Sequence, residues 1–343
     1  KDNILKEDDL IKKSILHINK TGENIIFVIN KKKQLVGTIT DGDIRRSVLK
    51  KIDLKTPLNK IMNLKYYFVG KKTNQSSISY QMKKKEIHYI PLIDKNKKIK
   101  KIYSDRENFL KKKTTKQKYP IIILSGGKGL RMKSLTKNKP KSMLIYKKLP
   151  MLEHVIMNLK KNNFENIFLS VHYLKNKIIK YFGNGKKFGV NIKYLIEKKP
   201  LGTGGCIKLL PKKNNNPIIV MNSDIICDLN LQNLITFHKK HKAYATMAVK
   251  VIEKPNPYGV IETKGLNIEG LHEKPLERSY INAGIYIFNP KIKNDLKKNE
   301  KIDITEIFKN LKSKKKKIII FPVLESWIDL GTFEKYNFYK KFY

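Results

Sequence analysis

Residues 119–143, YPIIILSGGKGLRMKSLTKNKPKSM, constrain this chain more than any other stretch. The apolar run 121–124 lies between Pro120 and the Gly126-Gly127 pair, the pattern of a fully buried strand that feeds a glycine turn. Three glycines in four positions, Gly126, Gly127 and Gly129, remove the side chains that keep a backbone away from a phosphate. Their N–H groups can then point together at one anion. Arg131 and Lys141 add a planar cationic fork and a compact point charge at the two ends of the same loop. The stretch therefore reads as a polyphosphate cradle. It lacks the Gly-x-x-x-x-Gly-Lys-Ser/Thr spacing of a P-loop and the Gly-x-Gly-x-x-Gly of a dinucleotide fold. A glycine turn after a strand also has purely structural uses.

Downstream, the spacing predicts helix 152–159, strand 166–171, helix 174–182 and strand 190–196. That alternation implies a mostly parallel sheet covered on both faces, with ligands outside the carboxyl ends of the strands. The polar motifs fall at those ends. EKKPLGTGG, residues 197–205, follows one strand, and the strand 217–221 runs into Asn222-Ser223-Asp224. An acidic residue directly after a buried strand is a natural seat for Mg²⁺. A second one, Asp329, stands in WIDLGT at 327–332. Mg²⁺ typically takes one or two carboxylates and completes its shell with water and phosphates; either Asp taken singly is better explained as a cap or turn residue.

The extended string GGxGxRxxxLTxxxPKxM resembles the signature of the sugar-1-phosphate nucleotidyltransferases, and the resemblance continues in motif order to residue 332. It implies a Rossmann-like three-layer α/β/α nucleotidyltransferase domain over 119–343, with a mixed, mostly parallel sheet. By the match, the nucleotide is held by Leu124, Gly126, Gly127, Gly129, Glu197, Pro200, Gly202 and Thr203. Mg²⁺ sits on Asp224 and Asp329, and the sugar pocket is shaped by Gly259, Glu273, Asn282 and Gly284. The catalytic set is Arg131, Lys141, Asp224, Lys274 and Asp329, with Lys274 of the EKP motif gripping the sugar phosphate.

The implied reaction is attack of a sugar 1-phosphate on the α-phosphorus of a nucleoside triphosphate, releasing pyrophosphate and giving an NDP-sugar for surface-glycan synthesis. Glu197 stands where the family places a side chain on the base. A carboxylate only accepts hydrogen bonds, and guanine offers paired donors, so Glu197 favours GTP over UTP or dTTP. Alternatives are another nucleotide (UTP, dTTP or CTP) and a catalytically silent nucleotide sensor. Mannose and heptose 1-phosphates are not separated by the motifs. Leu130, Ser134, Ser142 and Ser223 depart from the family pattern; Leu130 removes a hydroxyl that would meet the β- or γ-phosphate.

The 343 residues suggest two domains. In the first third, IFVIN and LVGTITDGD recur 64 positions later as IPLID and IKKIYSDRE. Each copy reads as strand, polar turn, strand and helix, preceded by helices 9–19 and 76–85. GTITDGDIRR, with PLNKIM entering the second copy, resembles a tandem pair of CBS repeats. The expected division is 1–58, 59–112, a linker at 113–118, and 119–343. The resemblance assigns an adenosyl ligand to Thr40 and Asp43, hence adenine-nucleotide regulation; otherwise Asp43 caps a helix over 44–50. In the second copy Ser104 and Glu107 hold the matching positions, and Lys101 replaces Gly37, so close backbone approach is lost there.

The net charge of +45 invites a nucleic-acid partner. However, only five of the 74 basic residues are Arg, and the Lys residues are spread along the whole chain. Base and phosphate readout favours Arg, so a solvated Lys coat is the better reading. The two cysteines, Cys206 and Cys227, form no CxxC, and no apolar run approaches the length of a membrane span. A cytoplasmic homo-oligomer is expected. So is a truncated N-terminus, because the chain starts at Lys1, and no C-terminal left-handed helix or acyltransferase domain is expected after WIDLGT.

Overall fold

The repeat of the first third is built as two copies of one small sheet. β1 (Ile4–Lys6), α1 (Ile11–Thr21), β2 (Ile25–Ile29), β3 (Leu35–Thr40) and α2 (Asp41–Leu49) form the first; β4 (Val69–Gly70), α3 (Gln75–Lys85), β5 (Tyr89–Ile93) and β6 (Ile99–Ser104) form the second. In each, the leading strand pairs parallel to the middle one, which pairs antiparallel to the last. Both hairpins bulge at the equivalent point, between Val28 and Ile29 and between Leu92 and Ile93. Both turns also place a lysine in the left-handed region, Lys33 at φ 60° and Lys97 at φ 58°. The copies meet where Gln34 bridges Lys98 and the Leu35 amide donates to Lys97 O at 2.8 Å. Phe27, Leu35 and Ile93 form their shared apolar cluster, with Tyr66, Tyr89 and Ile99 packed against it.

The computed structural model describes residues 3–70, 73, 75–85, 87–104, 119–211 and 215–341. The chain divides into two units, Lys1–Thr115 and Lys116–Tyr343. Asp105, Arg106 and Glu107 and the expected linker 113–118 lie outside the described residues.

Asp43 does not open α2. The helix begins at Asp41 with Thr40 as its N-cap, and Asp43 is the third helical residue of a capping box. Thr40 Oγ1 accepts from the Asp43 amide at 3.3 Å, while Asp43 Oδ2 accepts from the Thr40 amide at 2.8 Å and from its hydroxyl at 2.6 Å. The Gly37 position is also explained locally, since a Cβ there would meet Met62 Sδ at 2.7 Å.

The second unit is a three-layer α/β/α sandwich around seven strands in the order β11-β10-β7-β12-β17-β14-β18. The strands are β7 (Ile121–Leu124), β10 (Asn166–Val171), β11 (Asn191–Ile196), β12 (Ile218–Asn222), β14 (Ala245–Pro255), β17 (Leu276–Phe288) and β18 (Ile318–Val323). Only β17 runs against the rest, so the sheet is mixed and mostly parallel, as expected. Strand periodicity sorts the core. Ile121, Ile123, Ile219 and Met221 face α4 (Met151–Lys161), α5 (Lys175–Phe182) and α6 (Leu231–Lys240). Ile122, Ile218 and Val220 face the other layer, where α7 (Ile292–Asp295) supplies Ile292 and α8 (Ile304–Ser313) supplies Ile304, Ile307, Phe308 and Leu311.

Three small additions complete the unit. β8 (Ile145–Tyr146) and β9 (Leu149–Pro150) form a short hairpin before α4. β13 (Ile225–Cys227) pairs antiparallel with β19 (Trp327–Asp329), just before α9 (Phe333–Lys340). β14 and β17 run on together as a two-stranded ribbon to Pro255 and Leu276, beside the hairpin β15 (Val260–Lys264) and β16 (Asn267–His272). Among the described residues no helix is long and apolar enough to cross a membrane.

The capping box makes a measurable demand. Thr40→Ala should weaken the start of α2 by about 1 kcal/mol. Hydrogen–deuterium exchange should then be about fivefold faster for the first amides of α2 and unchanged in α4.

Candidate functional site

β7 is flanked by two parallel neighbours whose carboxyl ends stop level with its own, Leu124 standing opposite Ser170 and Asn222. After Ser125, whose amide still donates to Ser170 O at 2.9 Å, the backbone leaves the sheet. Among the described residues, the amides of 126–131 donate to no protein acceptor. Consecutive unpaired N–H groups of this kind are the substance of an anion nest. Gly127 has open space where a Cβ would stand, and Gly129, at φ 66°, leaves room for Thr136 and Lys141, each 3.0 Å from a virtual Cβ. Gly126 has a different neighbour: a Cβ would come within 3.2 Å of Glu197 Oε1 and of the His172 amide nitrogen. Arg131 is exposed beside this loop and has no hydrogen-bond or ion-pair partner among the described residues. Leu130 is 81 % exposed and points no polar atom at the cradle. Ser142 is buried, and its hydroxyl has no partner among the described residues.

The two distant aspartates converge through the β13/β19 pair. Ile225 is opposite Asp329, and the Leu330 amide donates to Asp224 O at 3.0 Å. A Cβ on Gly331 would lie 2.6 Å from Asp329 Oδ1, 3.0 Å from Asp224 Oδ2 and 3.4 Å from Lys141 Nζ. Glycine thus keeps open a gap that two carboxylates and the cradle lysine share. Lys141 donates to Asp224 Oδ2 and to Gly331 O, the latter at 3.0 Å. Asp329 Oδ1 accepts from the Gly331 amide at 2.8 Å, and Oδ2 from Lys335 Nζ at 2.5 Å. Two hard oxygen donors beside a polyphosphate cradle suit Mg²⁺, which needs no third protein carboxylate. No group of three or more metal-ligating side chains occurs among the described residues.

Glu197 occupies a different place from the one its motif suggests. It is buried, with Oε1 accepting from Ser170 Oγ at 2.5 Å and Oε2 from the Leu201 amide at 2.9 Å. Its carbonyl accepts from His172 Nδ1 at 3.0 Å. The carboxylate is therefore an internal anchor that ties the 197–201 loop to β10 behind Gly126, and not an open acceptor. Gly202, at φ 72°, turns toward the chain before α8: a Cβ would meet Ile302 O at 2.6 Å. Thr203 likewise serves α8, its hydroxyl accepting from the Ile304 amide at 2.9 Å and donating to Asp303 Oδ1 at 3.1 Å. Pro200 begins this turn and is exposed, and Leu201 is buried.

The expected sugar residues separate into two groups. Asn282 and Gly284 lie in the middle of β17, beside Asn222 and Ile225 that flank Asp224. A Cβ on Gly284, at φ 73°, would meet Asn222 Nδ2 and Ile225 Cγ1, both at 2.9 Å, and Asn282 Oδ1 accepts from the Gly284 amide. Trp327 Nε1 donates to the Ala283 carbonyl at 3.0 Å, joining this strand to β19. Burial pushes the nearby Tyr286 phenol up. Glu273, Lys274 and Gly259 gather at the outer end of the ribbon instead, with Lys274 Nζ 4.0 Å from Glu273 Oε1 and exposed. Leu276, the next strand's first residue, is six residues from Asn282, roughly 20 Å of extended chain. Among the described residues no hydrogen bond or ion pair joins this outer group to the aspartates.

Sequence reasoning missed Ser170, Asp303 and Lys335. None lies in a recognisable motif, and each meets its partner only through the fold. The loop geometry is open to test. Gly202→Ala should lower stability by about 2 kcal/mol, through backbone strain and overlap with Ile302 O. The melting midpoint should fall by roughly 4–8 °C.

Residues 121–343 match the family described as Nucleotidyl transferase. The chain is 35 % identical over 218 residues to a mannose-1-phosphate guanyltransferase of Yarrowia lipolytica, covering 61 % of this chain and 60 % of that protein. It is 34 % identical over 220 residues to the mannose-1-phosphate guanyltransferase of Saccharomyces cerevisiae, with the same coverage. The match thus spans about 60 % of the length of these relatives. The crystal structure of HddC from Yersinia pseudotuberculosis complexed with GMP-PN superposes with a TM-score of 0.52 at 25 % identity, covering 65 % of this chain and 98 % of that one. With cradle, aspartate pair and sheet order in place, the chain belongs to the nucleotidyl transferase family.

Proposed function

We propose that this chain transfers GMP from GTP to a sugar 1-phosphate, mannose 1-phosphate first among them, releasing pyrophosphate. The observation that carries the reading is the meeting of Lys141, Asp224 and Asp329 around one gap kept open by Gly331, with Lys141 packed beside Gly129 of the loop whose amides are unpaired among the described residues. The preference for guanine is supported by the names of the relatives and no longer by Glu197, whose oxygens already have protein donors.

In this mechanism the amides of 126–131 and Arg131 bind the triphosphate, and Lys141 neutralises charge near the α-phosphorus. Lys274 sits on a ribbon that would have to bring it inward to grip the attacking phosphate. The attacker is already anionic, so the chain supplies no general base. Its contribution is positioning and charge neutralisation. Asp224 and Asp329 would hold Mg²⁺, which supplies Lewis-acid polarisation of the phosphoryl oxygens.

The remaining unit is read as a tandem CBS pair that tunes the transferase through an adenine nucleotide at Thr40 and Asp43. What supports this is the doubled sheet with its equivalent bulges. A product used for surface glycans, made where the buried thiols of Cys206 and Cys227 stay reduced, fits the same reading.

Pyrophosphate release should be seen with GTP plus mannose 1-phosphate, should vanish in Asp224→Ala, and should fall about a hundredfold in kcat/KM in Arg131→Ala, about 2.7 kcal/mol of barrier. A stronger rate with UTP or dTTP would overturn the base assignment and leave the reaction class standing. Isothermal calorimetry of the full chain should detect AMP, ADP or ATP binding that Asp43→Ala removes; no heat with any of the three would sink the regulatory reading.

A further inference from the structure

Each carboxylate at the proposed metal site already has a lysine on it, and the two lysines are held differently. Lys141 comes from the cradle loop, its side chain is 15 % exposed, and it has a second acceptor in Gly331 O. Lys335 comes from the first turn of α9, is 49 % exposed, and makes no second side-chain bond among the described residues. Among the described residues its side chain is held by Asp329 Oδ2 alone, at 2.5 Å.

The turn that delivers Lys335 is itself anchored. Thr332 caps α9 by accepting from the Lys335 amide at 3.4 Å. The preceding residue, Glu334, pairs with Lys133 of the cradle loop at 3.3 Å, and Lys133 Nζ stands 4.9 Å from the Phe333 ring centroid. Thus α9 is tied to the phosphate loop on one side and, through Lys335, to Asp329 on the other. The remaining oxygen of Asp329 is engaged by the Gly331 amide.

We infer that Lys335 is a positioning residue, a counter-cation on Asp329 that competes with a divalent ion for that carboxylate. The inference rests on reading Asp224 and Asp329 as the metal pair. The Lys335 ammonium occupies one lone pair of Asp329 Oδ2 and repels a divalent ion approaching the same carboxylate, so metal entry is opposed while Lys335 stays in place. A partly exposed pair of this kind gives a modest bias. Lys335 therefore sets the ion concentration at which the site fills without creating or abolishing the site.

The test is a Mn²⁺ titration of the nucleotide-free full chain, with free ion read by electron paramagnetic resonance. Lys335→Met and Lys335→Gln should each bind Mn²⁺ about threefold to fivefold more tightly than the wild type. Lys335→Arg, which keeps the charge, should stay near the wild-type value, and half-saturating Mg²⁺ in pyrophosphate release should shift by the same factor. Unchanged or weaker Mn²⁺ binding in both neutral variants, with binding still abolished by Asp329→Asn, overturns the role of Lys335 alone. No Mn²⁺ binding by the wild type overturns the metal reading together with it.

Discussion

Parallel pairing of β7 with β10 on one edge and β12 on the other dictates where chemistry can occur in this unit. Three successive isoleucines of β7 are fully buried, so the strand has no polar side chain to offer along its length. Its backbone is consumed by two ladders until Leu124. The first amides released from that obligation are those of the glycine turn, and they are released beside the ends of both neighbours. Ser170 and Asn222 are held level with the turn by register alone, which brings Glu197 to one flank and Asp224 to the other. The site is a by-product of where three strands stop.

Much of this was written in the residues. The apolar run, the glycines and the alternation of elements indicate a mostly parallel sheet with its ligand edge at Gly126, and the sheet has that order. The pairing of Asp224 with Asp329 was implied by two motifs and is achieved by a two-stranded ladder only three residues long. What could not be read was direction. A glycine in a motif declares that a side chain is intolerable, and Gly202 shows that the intolerant neighbour is Ile302 O. Thr203 finds its partner 100 residues away in Asp303, and Glu197 finds Ser170 in an adjacent strand. Such partners are fixed by packing of α8 and β10, which residue spacing does not encode.

The ribbon shows a second limit. Lys274 and Asn282 are eight positions apart and belong to one expected pocket, yet a strand extends between them and keeps their surroundings separate. Function that needs both demands bending of β14 and β17. Their outer halves are solvent-facing, with exposed Ile261, Ile268, Leu271 and Leu276 nearby.

Lysine abundance also reaches the backbone. Lys33 and Lys97, at equivalent tips of the two small sheets, share a positive φ that glycine adopts with less strain, and Lys148 and Lys274 do the same in the second unit. Each such residue carries roughly 1 kcal/mol of steric penalty that a Cβ-free residue avoids. The composition that coats this protein in charge is thus also a standing tax on its turns, and a glycine-richer cousin with identical contacts would tolerate more heat.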